Sequence, residues 1–274
     1  MTSWFVALQK NVPQHGLSRL IGMLAASEQS LIKRTFIERF AKAYDVNMAE
    51  AARENLADFG SFNDFFTRDL KPNARPLADG AGAVVCPADG AVSQIGDIKQ
   101  GTLLQAKGHR YSLNGLTGSL SSGFEGGSFC TVYLAPCDYH RIHLPCAGTL
   151  TDSMAIPGAL FSVNQKTEEG IEGLFLRNER LVCRFETTFG PMLVILVGAM
   201  IVASIETVWG GPQSPYRTEQ HTEHNESFEK GAEIGRFLLG STVICCFPHG
   251  SVNLDDSWQA GTPVRMGQLM AQMA

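Results

Sequence analysis

The sequence predicts an α+β protein: a helical N-terminal region followed by a β-rich core of short strands, of the barrel/sandwich hybrid type. Three observations carry this. Residues 1 to about 70 hold apolar side chains at helical spacing. From about Leu77 short β-branched and aromatic runs alternate with Gly, Asp and Asn turns. These runs lack the regular helix-strand alternation of a doubly wound fold.

In the helical region, Leu17, Leu20, Ile21 and Leu24 follow the i, i+3, i+4, i+7 rule, and Ile32, Phe36, Phe40 and Ala43/Tyr44 repeat it. Asn47 and Glu50 form a capping-box pair that predicts a further short helix ending near Asp58. Charge is uneven here. Up to Lys42, six Lys and Arg residues face two Glu, a net of +4, in a chain whose total is −5. A basic amphipathic segment on an acidic protein suits contact with a membrane surface. The same pattern fits a helical cap packed on its own core.

The strand-like runs are AVVCPADGAVSQIGDI from Ala83, FCTVYLAP from Phe129, LVCRFET from Leu181, MLVILVGAMIVASIETVW from Met192, and GRFLLGSTVICCF from Gly235. The longest uncharged apolar run, Met192 to Ile205, has fourteen residues. A bilayer-spanning helix needs about 20. Valine and isoleucine make the run a pair of buried strands instead. Residues 213 to 230 are polar and aperiodic and read as a long exposed loop.

Hydrophobic residues make up 44% of the 274, enough to exclude a disordered chain. The acidic balance argues against a nucleic-acid partner bound through a global basic surface. Seven cysteines without a CxxC pair do not form a disulfide framework and read as reduced, mostly buried thiols. The first residues lack the charged-then-apolar order of a secretory signal.

Three segments can carry chemistry. In APCDYHRIHLPCAG, Cys137, His140, His143 and Cys146 are three apart. The residue types suit zinc, but the spacing does not: on a strand it alternates faces, and Pro136 and Pro145 disfavour a helix. The histidines, flanked by Asp138, Tyr139 and Arg141, are acid–base or anion-binding candidates. Pro87–Gly90 (PADG) is a turn, and Asp89 gains a role only if it orients a histidine. Gly-Ser occurs five times, yet only Gly240–Ser241 sits inside a long apolar run. There a serine needs a partner, and a glycine marks a bulge or a close backbone approach.

Together these segments resemble the phosphatidylserine decarboxylases. The likeness rests on DYHRIHLP at 138–145, PADG at 87–90 and GRFLLGST at 235–242. FFTRDLKPNARP at 65–76, VGAMIVASIETVWG at 197–210 and PGALFSVN at 157–164 extend it, in order, from about residue 60 to about 250. The paired cysteines of ICCFPHG depart from the plainer strand residues of the family, and the first sixty residues share only its general character.

The resemblance implies a proenzyme in which Asp89, His143 and Ser241 act as a protease-like triad on the Gly240–Ser241 bond. His143 takes the Ser241 hydroxyl proton and Asp89 fixes its tautomer. The oxygen attacks the Gly240 carbonyl, and the acyl group moves from nitrogen to oxygen. Elimination then frees Gly240 as a carboxylate and leaves dehydroalanine, which is hydrolysed by water with loss of ammonia to a pyruvoyl group. A β chain, 1–240, and an α chain, 241–274, result. The pyruvoyl group forms a Schiff base with the substrate and serves as electron sink, with His140 or His143 returning the proton. The implied substrate is phosphatidylserine and the product phosphatidylethanolamine. No metal is implied. Residues 1–70 become a membrane-associating region on a 71–274 catalytic core, held at the cytoplasmic face of the membrane as a peripheral protein. The αβ unit is expected to pair as a homodimer. The alternatives are a pyruvoyl-dependent decarboxylase of a soluble amino acid, a serine hydrolase using the same three residues, a zinc protein, and a carrier module, for which no lysine sits in a suitable turn.

Overall fold

The computed structural model describes residue 9 and residues 14–199, 205–212, 214–238 and 241–274. Gly240 and residues 200–204 of the Met192–Ile205 run lie outside these. Helices α1 (Gln14–Ala25), α2 (Ser30–Ala43) and α3 (Phe62–Phe66) come first. The first half of the β region holds β1 (Ala83–Val85), β2 (Gly90–Asp97), β3 (Thr102–Leu104), β4 (Arg110–Ser112), β5 (Ser128–Leu134), β6 (Arg141–His143), β7 (Gly148–Ile156) and β8 (Arg180–Thr187). The second half holds β9 (Gly190–Val197), β10 (Ile205–Thr207), β11 (Gln220–Phe228), β12 (Glu233–Phe237), β13 (Ser241–Phe247), β14 (Val252–Leu254), β15 (Pro263–Val264) and β16 (Leu269–Met273).

The α+β class is as the sequence predicts. Eight strands form one antiparallel sheet in the order β11-β7-β8-β9-β13-β5-β2-β15. Its two ends do not meet, so among the described residues the barrel form of the expectation is not adopted. Both faces of this sheet are covered. Ile195, Ile244 and Cys246 point to one face with Ile37, Phe62 and Phe66 of the helices. Val194, Val243, Cys245 and Phe247 point to the other. There they meet Val84, Ile142, Phe237 and Met270 of two three-stranded sheets, β1-β16-β14 and β10-β12-β6. A strand buried on both faces reads as a continuous apolar run rather than an alternation. That is why MLVILV and VICCF carry almost no polar residue, and why all seven residues of β13 are buried.

Two sequence expectations are corrected. The stretch 213–230 is not one long loop: β11 pairs antiparallel with β7, from Gln220 opposite Ala155 to Phe228 opposite Gly148. It is an edge strand exposed along most of its length. Backbone bonds hold it, so it needs no apolar face, and its charged side chains suit an edge that must not recruit another strand. Nor does one helix run from Asn47 to Asp58. Asn47 caps Ala49 N–H at 3.1 Å, but only a 3₁₀ turn, Met48–Glu50, follows. The chain then leaves to pair Ala51 with Leu70, and Ala52 N–H donates to the Asp69 carbonyl. Glu50 does not close a capping box; its carboxylate accepts from Arg75 at 2.6 Å.

Helix α1 packs on the core through Ile21 and Ala25 but leaves much of its apolar face open. Ala25 is buried, but Leu20, Met23 and Leu24 are 53%, 61% and 43% exposed, and Leu31 of α2 is 79% exposed. Further along α2, Phe36 and Phe40 stack into the Phe62, Phe65 and Phe66 cluster of α3. No helix among the described residues is long and apolar enough to cross a membrane.

Candidate active site

The turn after β5 brings the histidines to the start of β13. Leu134, the last residue of β5, lies opposite Ser241, the first residue of β13. Asp138 then closes a tight turn, its carboxylate accepting from Ala135 N–H at 2.6 Å. At the far end of the turn the carbonyl of His140 accepts from Phe237 N–H at 3.0 Å, at the end of β12. Both ends of the histidine-bearing turn are therefore tied to backbone flanking position 240.

Two hydrogen bonds fix the imidazole tautomers. His140 Nδ1 lies 2.9 Å from the Asp138 carbonyl oxygen. A carbonyl only accepts, so the proton sits on Nδ1 and the lone pair on Nε2. That Nε2 is buried and without a hydrogen-bond partner. The ring is fully buried and tilts over Phe66 at 4.0 Å between centroids. Burial pushes its pKa down to about 3, so it is neutral at pH 7. His143 Nδ1 donates to the Gly231 carbonyl at 2.8 Å, and the Tyr139 hydroxyl donates to Nε2 at 3.0 Å. Burial lowers this pKa also, partly opposed by the Gly231 bond.

Asp89 sits beside His143: the His143 N–H donates to the Pro87 carbonyl at 2.9 Å, across the PADG turn. No hydrogen bond joins the two side chains among the described residues. Instead Arg75 grips the Asp89 carboxylate, Nε at 2.9 and 3.0 Å and Nη2 at 2.5 Å, and Met266 N–H donates to it at 2.9 Å. Arg75 also reaches Glu50, which accepts from Arg265 as well. Gly90, with φ of +155°, completes the turn: a Cβ there would lie 2.1 Å from the Tyr133 carbonyl oxygen.

Ser241 is fully buried, and its Oγ has no hydrogen-bond partner. A buried hydroxyl left unpaired costs about 1–3 kcal/mol. It shares a strand face with Val243 and Cys245, inside the core between the large sheet and the two small ones. The histidine-bearing segment and the PADG turn meet at the His143 N–H to Pro87 bond, and the strand that leads into that segment, β5, is the pairing partner of Ser241 through Leu134. Cys137 and Cys146 do not join a ligand set: Cys146 is buried in the second core, and no group of three metal-ligating side chains forms among the described residues. Arg75, Gly231 and Phe66 were not singled out from the sequence. Arg75 and Phe66 lie in FFTRDLKPNARP, but no spacing rule marks their roles.

The fold and this turn define a family. A model described as phosphatidylserine decarboxylase matches residues 62–272, and one described as PSD matches residues 4–45. The chain belongs to the phosphatidylserine decarboxylase family. Its relatives include the phosphatidylserine decarboxylase proenzyme of Saccharophagus degradans, 50% identical over 98% of this chain and 97% of the relative. The proenzymes of Pseudomonas putida and Pseudomonas aeruginosa are 52% and 53% identical, covering 98% and 97% of this chain and 97% and 96% of those proteins.

Proposed function

We propose that the chain is a self-maturing enzyme that removes CO₂ from phosphatidylserine to give phosphatidylethanolamine. The observation that carries this is the unpartnered Ser241 hydroxyl, buried at the start of core strand β13, whose partner strand β5 runs directly into the turn that bears His140 and His143. His143 acts as base toward Ser241, whose oxygen attacks the Gly240 carbonyl. The C–N bond breaks as the ester forms, elimination releases Gly240 as a carboxylate, and water hydrolyses the resulting dehydroalanine, releasing ammonia and leaving a pyruvoyl group at position 241. His143 needs its Nε2 for this, so the Tyr139 hydroxyl must turn away from it. His140 presents a bare Nε2 lone pair; once that atom has taken up a proton, His140 can return it to the decarboxylated α-carbon. Asp89, neutralised by Arg75, holds the turn against which the His143 backbone is pinned.

The pyruvoyl carbonyl, once formed, supplies the electron sink for decarboxylation. The β chain, 1–240, and the α chain, 241–274, stay together because β13 is paired on both sides, to β5 and β9. The αβ unit assembles as a homodimer. The 1–70 region docks on the anionic cytoplasmic face of the membrane through Leu20, Met23, Leu24 and Leu31, exposed apolar side chains beside the basic residues of α2. A soluble amino-acid substrate would have no use for that patch.

Intact mass of freshly purified protein, run beside Ser241→Ala, tests the reading. Two chains split after residue 240 are expected for the parent, the shorter one lacking an N-terminal amine, and one whole chain for the variant. A stable full-length parent mass refutes self-processing.

A further inference from the structure

Arg68 follows the C-terminal end of α3, 3% exposed. Its Nη2 donates to the carbonyl oxygens of Cys137 at 3.0 Å and Asp138 at 3.4 Å, on the histidine-bearing turn. Nε and Nη1 are sealed from solvent and have no hydrogen-bond partner. Three of the five N–H donors of the guanidinium are therefore unused. The carboxylates that act on it electrostatically, Asp89, Asp138 and Glu50, are committed to Arg75, to Ala135 N–H, and to Arg75 and Arg265 respectively. Among the described residues no ion pair closes on Arg68.

A buried cation without a counter-ion costs several kcal/mol. Burial depresses the pKa of Arg68, but a guanidinium stays protonated at neutral pH. Arg68 and His140 meet at the Asp138 carbonyl, and His140 Nε2 is likewise buried and unpartnered. An unpaired cation and an unpaired imidazole nitrogen on one turn leave this part of the histidine-bearing segment suited to an anion brought in from outside.

Resting on the function proposed above, we infer that Arg68 binds the phosphodiester of the lipid substrate. Phosphatidylserine carries two anions close to its amine, the α-carboxylate and the phosphodiester. A cation on the carboxylate is strongest in the ground state, since that charge leaves the carboxylate as CO₂ forms, so it would oppose the reaction. The phosphodiester keeps its charge throughout. It is separated from the α-carbon only by the β-carbon and one oxygen, so it stays in the site while the α-carbon is held at position 241. Arg68 thereby makes the site one for a phosphorylated headgroup rather than for free serine.

The test uses cleaved enzyme and the variants Arg68→Gln and Arg68→Lys, assayed with phosphatidylserine in micelles and with soluble glycerophosphoserine. Loss of one charged hydrogen-bonding group predicts a KM raised about 10–100-fold in Arg68→Gln, with kcat within a few-fold. Arg68→Lys recovers part of it. A second readout needs no activity: ³¹P line broadening of glycerophosphoserine by uncleaved Ser241→Ala protein, lost when Arg68→Gln is added. Inorganic phosphate alone should broaden weakly; broadening equal to that of glycerophosphoserine would mean a general phosphate site and overturn the assignment. So would a kcat loss at constant KM, which marks the carboxylate, or unchanged KM in both variants. Should Arg68→Gln fail to fold, Arg68→Lys and the ³¹P measurement on Ser241→Ala alone still decide. Parent enzyme that releases no CO₂ from phosphatidylserine refutes the function itself, a different result from any of these.

Discussion

Arg75 gives the sharpest test of what holds the site together. Its side chain is 7% exposed and that of Asp89 8% exposed, and their contact is made by three short N–O approaches. Arg75→Gln removes all three and leaves the Asp89 carboxylate buried with one donor, Met266 N–H. Breaking a buried pair from one side costs about 3–5 kcal/mol, because the remaining charge is uncompensated. That is a factor of about 100 to several thousand in the folding constant. Asp89→Asn in the same chain removes the orphaned charge, so the double variant should be more stable than the sum of the singles predicts, by more than about 1 kcal/mol. Urea unfolding is the assay, on the Ser241→Ala background so that one intact chain unfolds, at fixed protein concentration and with coincident transitions by two probes as the check on two-state behaviour. An Arg75→Gln midpoint that lowers stability by less than about 1 kcal/mol, or additive singles, would refute the argument that this pair anchors the PADG turn.

The remaining expectations rest on single residues. His140 stays neutral when folded because burial holds its pKa near 3, whereas the unfolded imidazole takes a proton below about 6.5. The stability it contributes is full above pH 6.5 and falls as pH drops toward 3, by at most about 1.4 kcal/mol per pH unit. His143 adds with the same sign, and urea midpoints from pH 7.5 to 5 in parent and His140→Phe should diverge accordingly. Gly90→Ala forces a Cβ against the Tyr133 carbonyl and should cost about 3 kcal/mol or more. Gly96→Ala, at φ +151° with nothing within 4 Å, should cost only backbone strain, about 1–2 kcal/mol. Met23→Asp and Leu31→Asp should each weaken co-sedimentation with phosphatidylserine vesicles about tenfold, while CO₂ release from glycerophosphoserine persists.

The large sheet was legible because burial on both faces writes continuous apolar runs, and the helices because one face of each is apolar. Strand β11 was not, because an edge strand exposed on both faces leaves no hydrophobic period; its pairing is backbone chemistry that side-chain patterns do not record. The break after Glu50 was hidden for a similar reason. A capping box is a local signal, and here a long-range ion pair to Arg75 took the carboxylate the box required. At the candidate site the residue types and their order were readable, since His140, His143, Asp89 and Ser241 are the reactive groups in otherwise apolar or turn segments. Their partners were not: Gly231 contributes a carbonyl that any residue carries, and Arg68 and Arg75 are two ordinary arginines until burial removes their solvent.

Those partners change how the three polar groups relate. In a protease-like arrangement the carboxylate selects the imidazole tautomer through a direct hydrogen bond. Here the Gly231 carbonyl already places the proton on Nδ1 of His143, and Arg75 saturates Asp89. The tautomer is thus set by backbone, which cannot titrate, and Asp89 acts on His143 through position and field. The arrangement also explains why burial is tolerated. An ionised Asp89 beside neutral imidazoles would be a lone buried charge, and Arg75 cancels it without giving either histidine a proton. Both imidazoles therefore remain unprotonated at neutral pH.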